Sequence, residues 1–117
     1  MEISLQNRVA LVTGAAMGIG EGIGLVLARA GADVVVCDID DEKGLAIAEV
    51  GRRSLFVHAD VADHEAIGAM MERVEAEFGG LDILVNNAGL EYFGSIEDTT
   101  IEQWDRTHDV DLKGIFL

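Results

Sequence analysis

The stretch TGAAMGIG, residues 13–20, combines three glycines with the start of a helical pattern. Gly14 permits a sharp reversal of the chain, and Gly18 and Gly20 let a phosphate and a neighbouring strand approach the backbone. The helix that follows offers unpaired N–H groups and the positive end of its dipole. The stretch therefore predicts a pyrophosphate site built from main-chain donors, with a tight turn that binds nothing as the alternative. It is not a P-loop, because it lacks the GK[ST] sequence.

An aspartate, Asp38, ends the next apolar run, VVVCD, and lies 18 residues beyond Gly20. A carboxylate there can accept hydrogen bonds from both hydroxyls of an adenosine ribose and would repel a 2′-phosphate. Neither Met17 nor Ile39, which flank the expected site, carries a positive charge. We therefore expect NAD rather than NADP, with helix capping by Asp38 or Asp40 as the alternative.

A second aspartate, Asp60, follows the third apolar run, SLFVHAD, and precedes Val61. Its carboxylate and the adjacent N–H can pair with the exocyclic amine and a ring nitrogen of adenine. The alternative is an ordinary strand-to-helix turn, in which aspartate is common.

Apolar runs and helical patterns alternate along the chain and predict the elements that carry these residues. Val-rich or β-rich runs predict strands over 8–14, 32–38, 54–60 and 81–89. Helices are expected over 19–30, over 40–51 with Gly51 at its end, after a cap at Asp63, and after a cap at Thr99 or Thr100. The third helix should carry an apolar stripe and end at two glycines; its residues are Ile67, Met70, Met71, Val74, Phe78, Gly79 and Gly80. This alternation predicts an α/β fold, a doubly wound parallel sheet with helices on both faces.

Composition narrows the class of protein. The 117 residues carry 22 acidic against 8 basic side chains, a net charge of −14, which disfavours a nucleic-acid partner. No apolar run approaches the roughly 18 to 20 residues of a membrane span, and a cytoplasmic location is expected. The single cysteine, Cys37, is expected to be buried and inert. No metal site is expected, because the three histidines have no metal-like spacing.

The motif NNAG, residues 86–89, ends the fourth predicted strand. With TGAAMGIG it resembles the TGxxxGxG and NNAG motifs of the short-chain dehydrogenase/reductase family, and the resemblance covers all 117 residues. It implies a Rossmann-like sheet with strand order 3-2-1-4, a homo-oligomer, and an NAD-dependent enzyme that interconverts alcohols and ketones. The cofactor contacts that we expect are Gly14, Met17, Gly18, Ile19, Gly20, Asp38, Ile39, Asp60, Val61, Asn87, Ala88, Gly89 and Val110.

The sequence departs from the family pattern in two ways. Asp111 occupies the position of the family's catalytic asparagine, and it is either a catalytic residue or a simple helix residue. No YxxxK occurs, and the one tyrosine, Tyr92, lies just after NNAG. We therefore expect residues 1–117 to be the amino-terminal, NAD-binding part of a longer enzyme, cut within the helix that carries Asp111 and inactive alone.

Two other classes of function share features of this sequence. A non-catalytic dinucleotide-binding or sensor module fits the missing tyrosine and lysine. A methyltransferase that uses S-adenosylmethionine also has a glycine-rich first turn, but its glycines run GxGxG directly after the strand. Here Gly14 and three intervening residues come before the first GxG, and NNAG is present.

Overall fold

The structure, a computed structural model, describes residues 3–48 and 54–117. Four parallel strands form one sheet in the order β3-β2-β1-β4, so the predicted topology is confirmed. The strands are β1 (Val9–Thr13), β2 (Asp33–Asp38), β3 (Ser54–His58) and β4 (Ile83–Val85). The helices are α1 (Gly18–Arg29), α2 (Asp41–Ala48), α3 (His64–Phe78) and α4 (Ile101–His108), and α4 continues through a π-helical turn (Asp109–Lys113) into the short α5 (Gly114–Phe116).

The hydrophobic core lies on both faces of the sheet because the central strands alternate their side chains between the two faces. On one face, Leu11 and Val35 pack with Met70 and Val74 of α3. On the other face, Val12 and Val36 pack with residues of α1. Burial on both faces accounts for the uninterrupted valine run of β2, as the sequence predicted.

Helix α3 follows its sequence signals closely. Asp63 caps it by accepting hydrogen bonds from the N–H groups of Glu65 and Ala66. Gly79 ends it in a left-handed conformation, with φ of 81°. The predicted apolar stripe is confirmed: Ile67, Met70 and Val74 are buried, and Met71 and Phe78 pack against the same cluster.

The fourth strand is shorter than predicted. The sequence predicted a strand over 81–89, whereas β4 covers only Ile83–Val85. Residues 86–89 leave the sheet because the Thr13 side chain accepts hydrogen bonds from the N–H groups of Asn87 and Ala88. The predicted end of the second helix at Gly51 lies outside the described residues.

The last helix begins at the second of its two predicted caps. Thr100 and Gln103 form a capping box, in which each side chain accepts a hydrogen bond from the other's backbone N–H. Val110 is the buried apolar residue of this segment, whereas Trp104 and Phe116 are exposed. Within the described ranges, no helix has the length and apolar character that crossing a membrane requires.

Cys37 lies fully buried in β2, as predicted. Burial raises the pKa of its thiol to about 12, and the nearby charges of Asp38 and Asp60 act in the same direction. The reactive thiolate is therefore strongly disfavoured in the folded chain.

Candidate functional site

A cleft of about 750 Å³ lies at the carboxyl ends of the strands. Strand order places the turn after β1 between the ends of β2 and β4, which is where ligands bind in open α/β sheets. All of the predicted cofactor contacts line this cleft except Gly18 and Gly20. The lining contacts from that prediction are Gly14, Met17, Ile19, Asp38, Ile39, Asp60, Val61, Asn87, Ala88, Gly89 and Val110.

The glycine turn is shaped by two residues with positive φ. Gly14 and Gly18 have φ of 62° and 60°, a region that side-chain-bearing residues rarely adopt. Gly20 instead supports the turn from behind, since a Cβ there would overlap the Gly14 carbonyl oxygen and the Asn87 amide nitrogen. Met17 precedes α1 and provides no side-chain cap, so the first turn of the helix keeps N–H groups available for an anion.

Thr13 and Asn87 hold the turn against the loop after β4. The buried Thr13 hydroxyl accepts hydrogen bonds from the N–H groups of Asn87 at 3.1 Å and Ala88 at 3.0 Å. The Asn87 side-chain amide donates to the carbonyl oxygens of Thr13 at 3.1 Å and Gly14 at 3.2 Å. These bonds fix the floor of the cleft and tie Asn87 and Ala88 of the NNAG motif to the end of β1.

Asp38 joins the end of β2 to the glycine turn. One of its carboxylate oxygens accepts a hydrogen bond from the N–H of Ala16 at 3.0 Å. The other accepts from the N–H groups of Ile39 at 2.7 Å and Asp40 at 3.1 Å. Because a carboxylate offers about four acceptor sites, roughly one remains for a ligand. Asp40, not Asp38, caps α2, since its carboxylate accepts from the N–H of Lys43 at 3.1 Å.

Asp60 lies at the far end of the cleft and pairs with a residue that the sequence analysis missed. One carboxylate oxygen accepts from the N–H of Ala62 at 2.9 Å, and the other lies 2.9 Å from the guanidinium of Arg106. Partial burial alone would raise the pKa of Asp60, but the bond from Ala62 and the Arg106 guanidinium outweigh burial and hold that pKa below its ordinary value. Asp60 is therefore an anion with two fixed partners.

Arg106 also lines the cleft, together with Ala59 and Leu90, which sequence reasoning likewise did not single out. Helical spacing could have identified it, because it lies four residues before the predicted contact Val110 and so on the same face. Gly114, four residues further on, packs against Val61: a Cβ there would lie 2.9 Å from Val61 Cγ2. This face of the last helix thus rests on the loop that carries Asp60.

Asp111 lies in the π-helical turn and does not line the cleft. Its carboxylate accepts a hydrogen bond from the N–H of Leu90 at 2.9 Å. The contact couples the last helix to the loop after NNAG. Tyr92, further along that loop, is half exposed and does not line the cleft.

The cleft is acidic at one end and neutral at the turn. Its ionisable lining residues are Asp38, Asp40, Asp60 and Arg106. An anion at the turn must therefore be held by backbone N–H groups, since the guanidinium already pairs with Asp60. Over the described residues, His, Cys, Asp and Glu form no group of three or more that could hold a metal ion.

Comparison with known proteins gives a consistent family assignment. The model of the short chain dehydrogenase family matches residues 8–117. The chain is 46% identical to a trans-4-hydroxycyclohexanecarboxylate dehydrogenase from Sinomonas cyclohexanicum, over 95% of this chain and 47% of that protein. It is 43% identical to a galactitol 2-dehydrogenase from Agrobacterium fabrum, over 94% of this chain and 43% of the relative.

Comparison with solved structures supports the same family assignment. The crystal structure of a 3-ketoacyl-(acyl-carrier-protein) reductase from Brucella melitensis, complexed with NADH, superposes with a TM-score of 0.94 at 39% identity. That alignment covers 97% of this chain and 48% of the reductase. The chain thus spans about half the length of the relatives it matches.

Proposed function

The chain belongs to the short chain dehydrogenase family, and we propose that residues 1–117 form the NAD(H)-binding domain of an oxidoreductase that interconverts an alcohol and a carbonyl compound. The observation that carries the proposal is the order of groups along the cleft. The glycine turn follows β1, Asp38 ends β2 and Asp60 follows β3, and these strands are neighbours in the sheet. That order matches the diphosphate, ribose and base of a dinucleotide.

The diphosphate would lie against the glycine turn. Positive φ at Gly14 and Gly18 and the uncapped start of α1 present main-chain N–H groups rather than cationic side chains. This suits a chain with a net charge of −14, which offers little attraction to anions at long range. Gly18 and Gly20 would shape the turn and, with Ile19, offer their backbone N–H groups to the diphosphate.

Asp38 would select NAD over NADP. Three backbone N–H groups hold its carboxylate in place, and an added 2′-phosphate would meet a fixed negative charge. Arg106 does not reverse this preference, since its guanidinium is already paired with Asp60. NADH in the Brucella melitensis reductase supports a nicotinamide dinucleotide as the ligand.

The nicotinamide end would lie near residues 87–90 and the last helix. The bound cofactor would supply the hydride chemistry. Asp111 would position the loop after β4 through the Leu90 N–H, which makes it a positioning residue at the family's asparagine position. An ionised aspartate accepts hydrogen bonds but cannot donate one as asparagine can, so the two side chains would not be equivalent at this position.

Other properties of the whole protein follow as proposals. The 117 residues contain no YxxxK, and we expect this chain to bind the dinucleotide without turning over alcohol or ketone substrates. Exposed Trp104, Leu112 and Phe116 on the last helical segment support a homo-oligomer. A small alcohol or ketone substrate and a cytoplasmic location remain predictions from the sequence.

Calorimetric titration with NAD and with NADP tests the proposal. We expect NAD to bind more tightly than NADP, and Asp38→Asn to weaken NAD about tenfold while reducing the preference over NADP, as loss of a hydrogen bond to a charged group would. Asp63→Asn is the matched control, because it removes the same charge outside the cleft and keeps a capping side chain on α3. Failure of NAD to bind, or equal loss in both variants, would refute the proposal.

A further inference from the structure

Arg106 lines the cleft, but none of the contacts proposed for the dinucleotide involves it. Its guanidinium lines the cleft and lies 2.9 Å from a carboxylate oxygen of Asp60. Both side chains are only about one-third exposed: 37% for Arg106 and 34% for Asp60. The pair is therefore better shielded from solvent than the ion pair of Arg73 and Glu77 on α3, where about half of each side chain is exposed.

The Asp60 carboxylate is held at two points. The Ala62 N–H fixes one oxygen from within the same loop, and Arg106 fixes the other from the last helix. With the first bond alone, the carboxylate could still rotate about its Cβ–Cγ bond. With both bonds its plane is set, and its remaining acceptor sites have one orientation.

The position of Arg106 is set by packing. Val110 is 6% exposed and belongs to the core cluster that includes Val61. Gly114 approaches Val61 so closely that a Cβ added at Gly114 would push the Val61 side chain away. Since residues 106, 110 and 114 share one helical face, these two contacts bring Arg106 over Asp60.

We propose that Arg106 is a specificity-determining residue: by fixing the Asp60 carboxylate at the base end of the cleft, it makes the site selective for a purine with a 6-amino group. The proposal rests on the proposed function, in which the ligand is a dinucleotide. A fixed acceptor there favours adenine, whose 6-amino group donates. It disfavours hypoxanthine, whose 6-oxygen is an acceptor and would face the carboxylate.

The test compares NAD with nicotinamide hypoxanthine dinucleotide by calorimetry on the full chain and its variants. We expect the unsubstituted chain to prefer NAD by at least about tenfold, the value of one hydrogen bond to a charged group. Arg106→Met should reduce that ratio to about threefold or less, because Asp60 is then held by one bond. Arg106→Lys should recover part of the ratio, and Arg73→Met should leave it unchanged.

The outcomes separate the two proposals. If Arg106→Met lowers the affinity for both dinucleotides equally, or lowers only the thermal stability, Arg106 is a structural pin and the inference is wrong. A ratio that rises in Arg106→Met would mean that Arg106 competes with the base for Asp60, which also overturns it. If the unsubstituted chain binds neither dinucleotide, the proposed function is wrong, and the inference about Arg106 is then wrong as well.

Discussion

The bonds around Thr13 give the sharpest stability prediction. Thr13 is 5% exposed, and its hydroxyl accepts from the Asn87 N–H at 3.1 Å and the Ala88 N–H at 3.0 Å. Thr13→Val keeps the shape of the side chain and removes the acceptor from both donors. An unpaired, partly buried donor costs about 1 to 3 kcal/mol. Because residues 87 and 88 are only partly buried, we expect the lower part of that range for each, about 2 to 3 kcal/mol in total.

Thr13→Ser is the matched control. It keeps the hydroxyl and loses one buried methyl group, which costs about 1 kcal/mol. Urea denaturation followed by circular dichroism gives the free energy of unfolding of each variant, compared at a common slope. Thr13→Val should be less stable than Thr13→Ser by about 1 to 2 kcal/mol, the difference between those two costs. Equal stabilities would refute the assignment of the Thr13 hydroxyl as the acceptor that ends β4.

Three further predictions concern the turn, the thiol and the acid at the base end. Gly20→Ala should disrupt the turn and abolish dinucleotide binding measured by calorimetry. Gly22→Ala is the control, because a Cβ at Gly22 meets nothing within 4 Å, and it should stabilise α1 by up to about 1 kcal/mol. Similar behaviour of the two variants would contradict the packing of Gly20. The pKa of Cys37 is raised from 9.0 to about 12, so the stability contributed by the neutral thiol is complete below pH 9 and is lost as the pH rises towards 12. Iodoacetamide should therefore label the thiol only after the chain unfolds. Rapid labelling of the folded chain would refute this. The pKa of Asp60 is lowered in the folded state, so the stability that it contributes is present above its unfolded pKa of 3.8 and is lost as the pH falls through the folded value. Asp60→Asn should therefore reduce the loss of unfolding free energy at acid pH, measured by denaturation. An unchanged loss would contradict the pairing with Arg106.

Local signals in the sequence predicted most of the fold. The cap at Asp63, the stop at Gly79 and the stripe through Met70 and Val74 depend on residues within a few positions of one another, and each is confirmed. The strand order came from the family resemblance rather than from periodicity, and the sheet confirms it.

The errors arise where distant parts of the chain meet. The predicted length of β4 was wrong because the Thr13 hydroxyl on β1 accepts hydrogen bonds from the N–H groups of Asn87 and Ala88. No local sequence pattern encodes these bonds. Arg106 was missed because its partner, Asp60, lies on a different element. Most cleft residues were found through motifs. Arg106 belongs to no motif, and only its helical spacing from Val110 could have placed it in the cleft, while its ion pair with Asp60 required the tertiary structure.

In the proposed complex, main-chain N–H groups of the glycine turn hold the diphosphate of NAD. The most direct measurement is two-dimensional ¹H–¹⁵N NMR of the chain during titration with NAD. We predict that the largest shifts fall on the backbone amides of Gly18, Ile19 and Gly20, with smaller shifts beside Asp38 and Asp60. If the resonances of the Gly18, Ile19 and Gly20 amides stay unchanged at saturating NAD, the glycine turn does not hold the diphosphate.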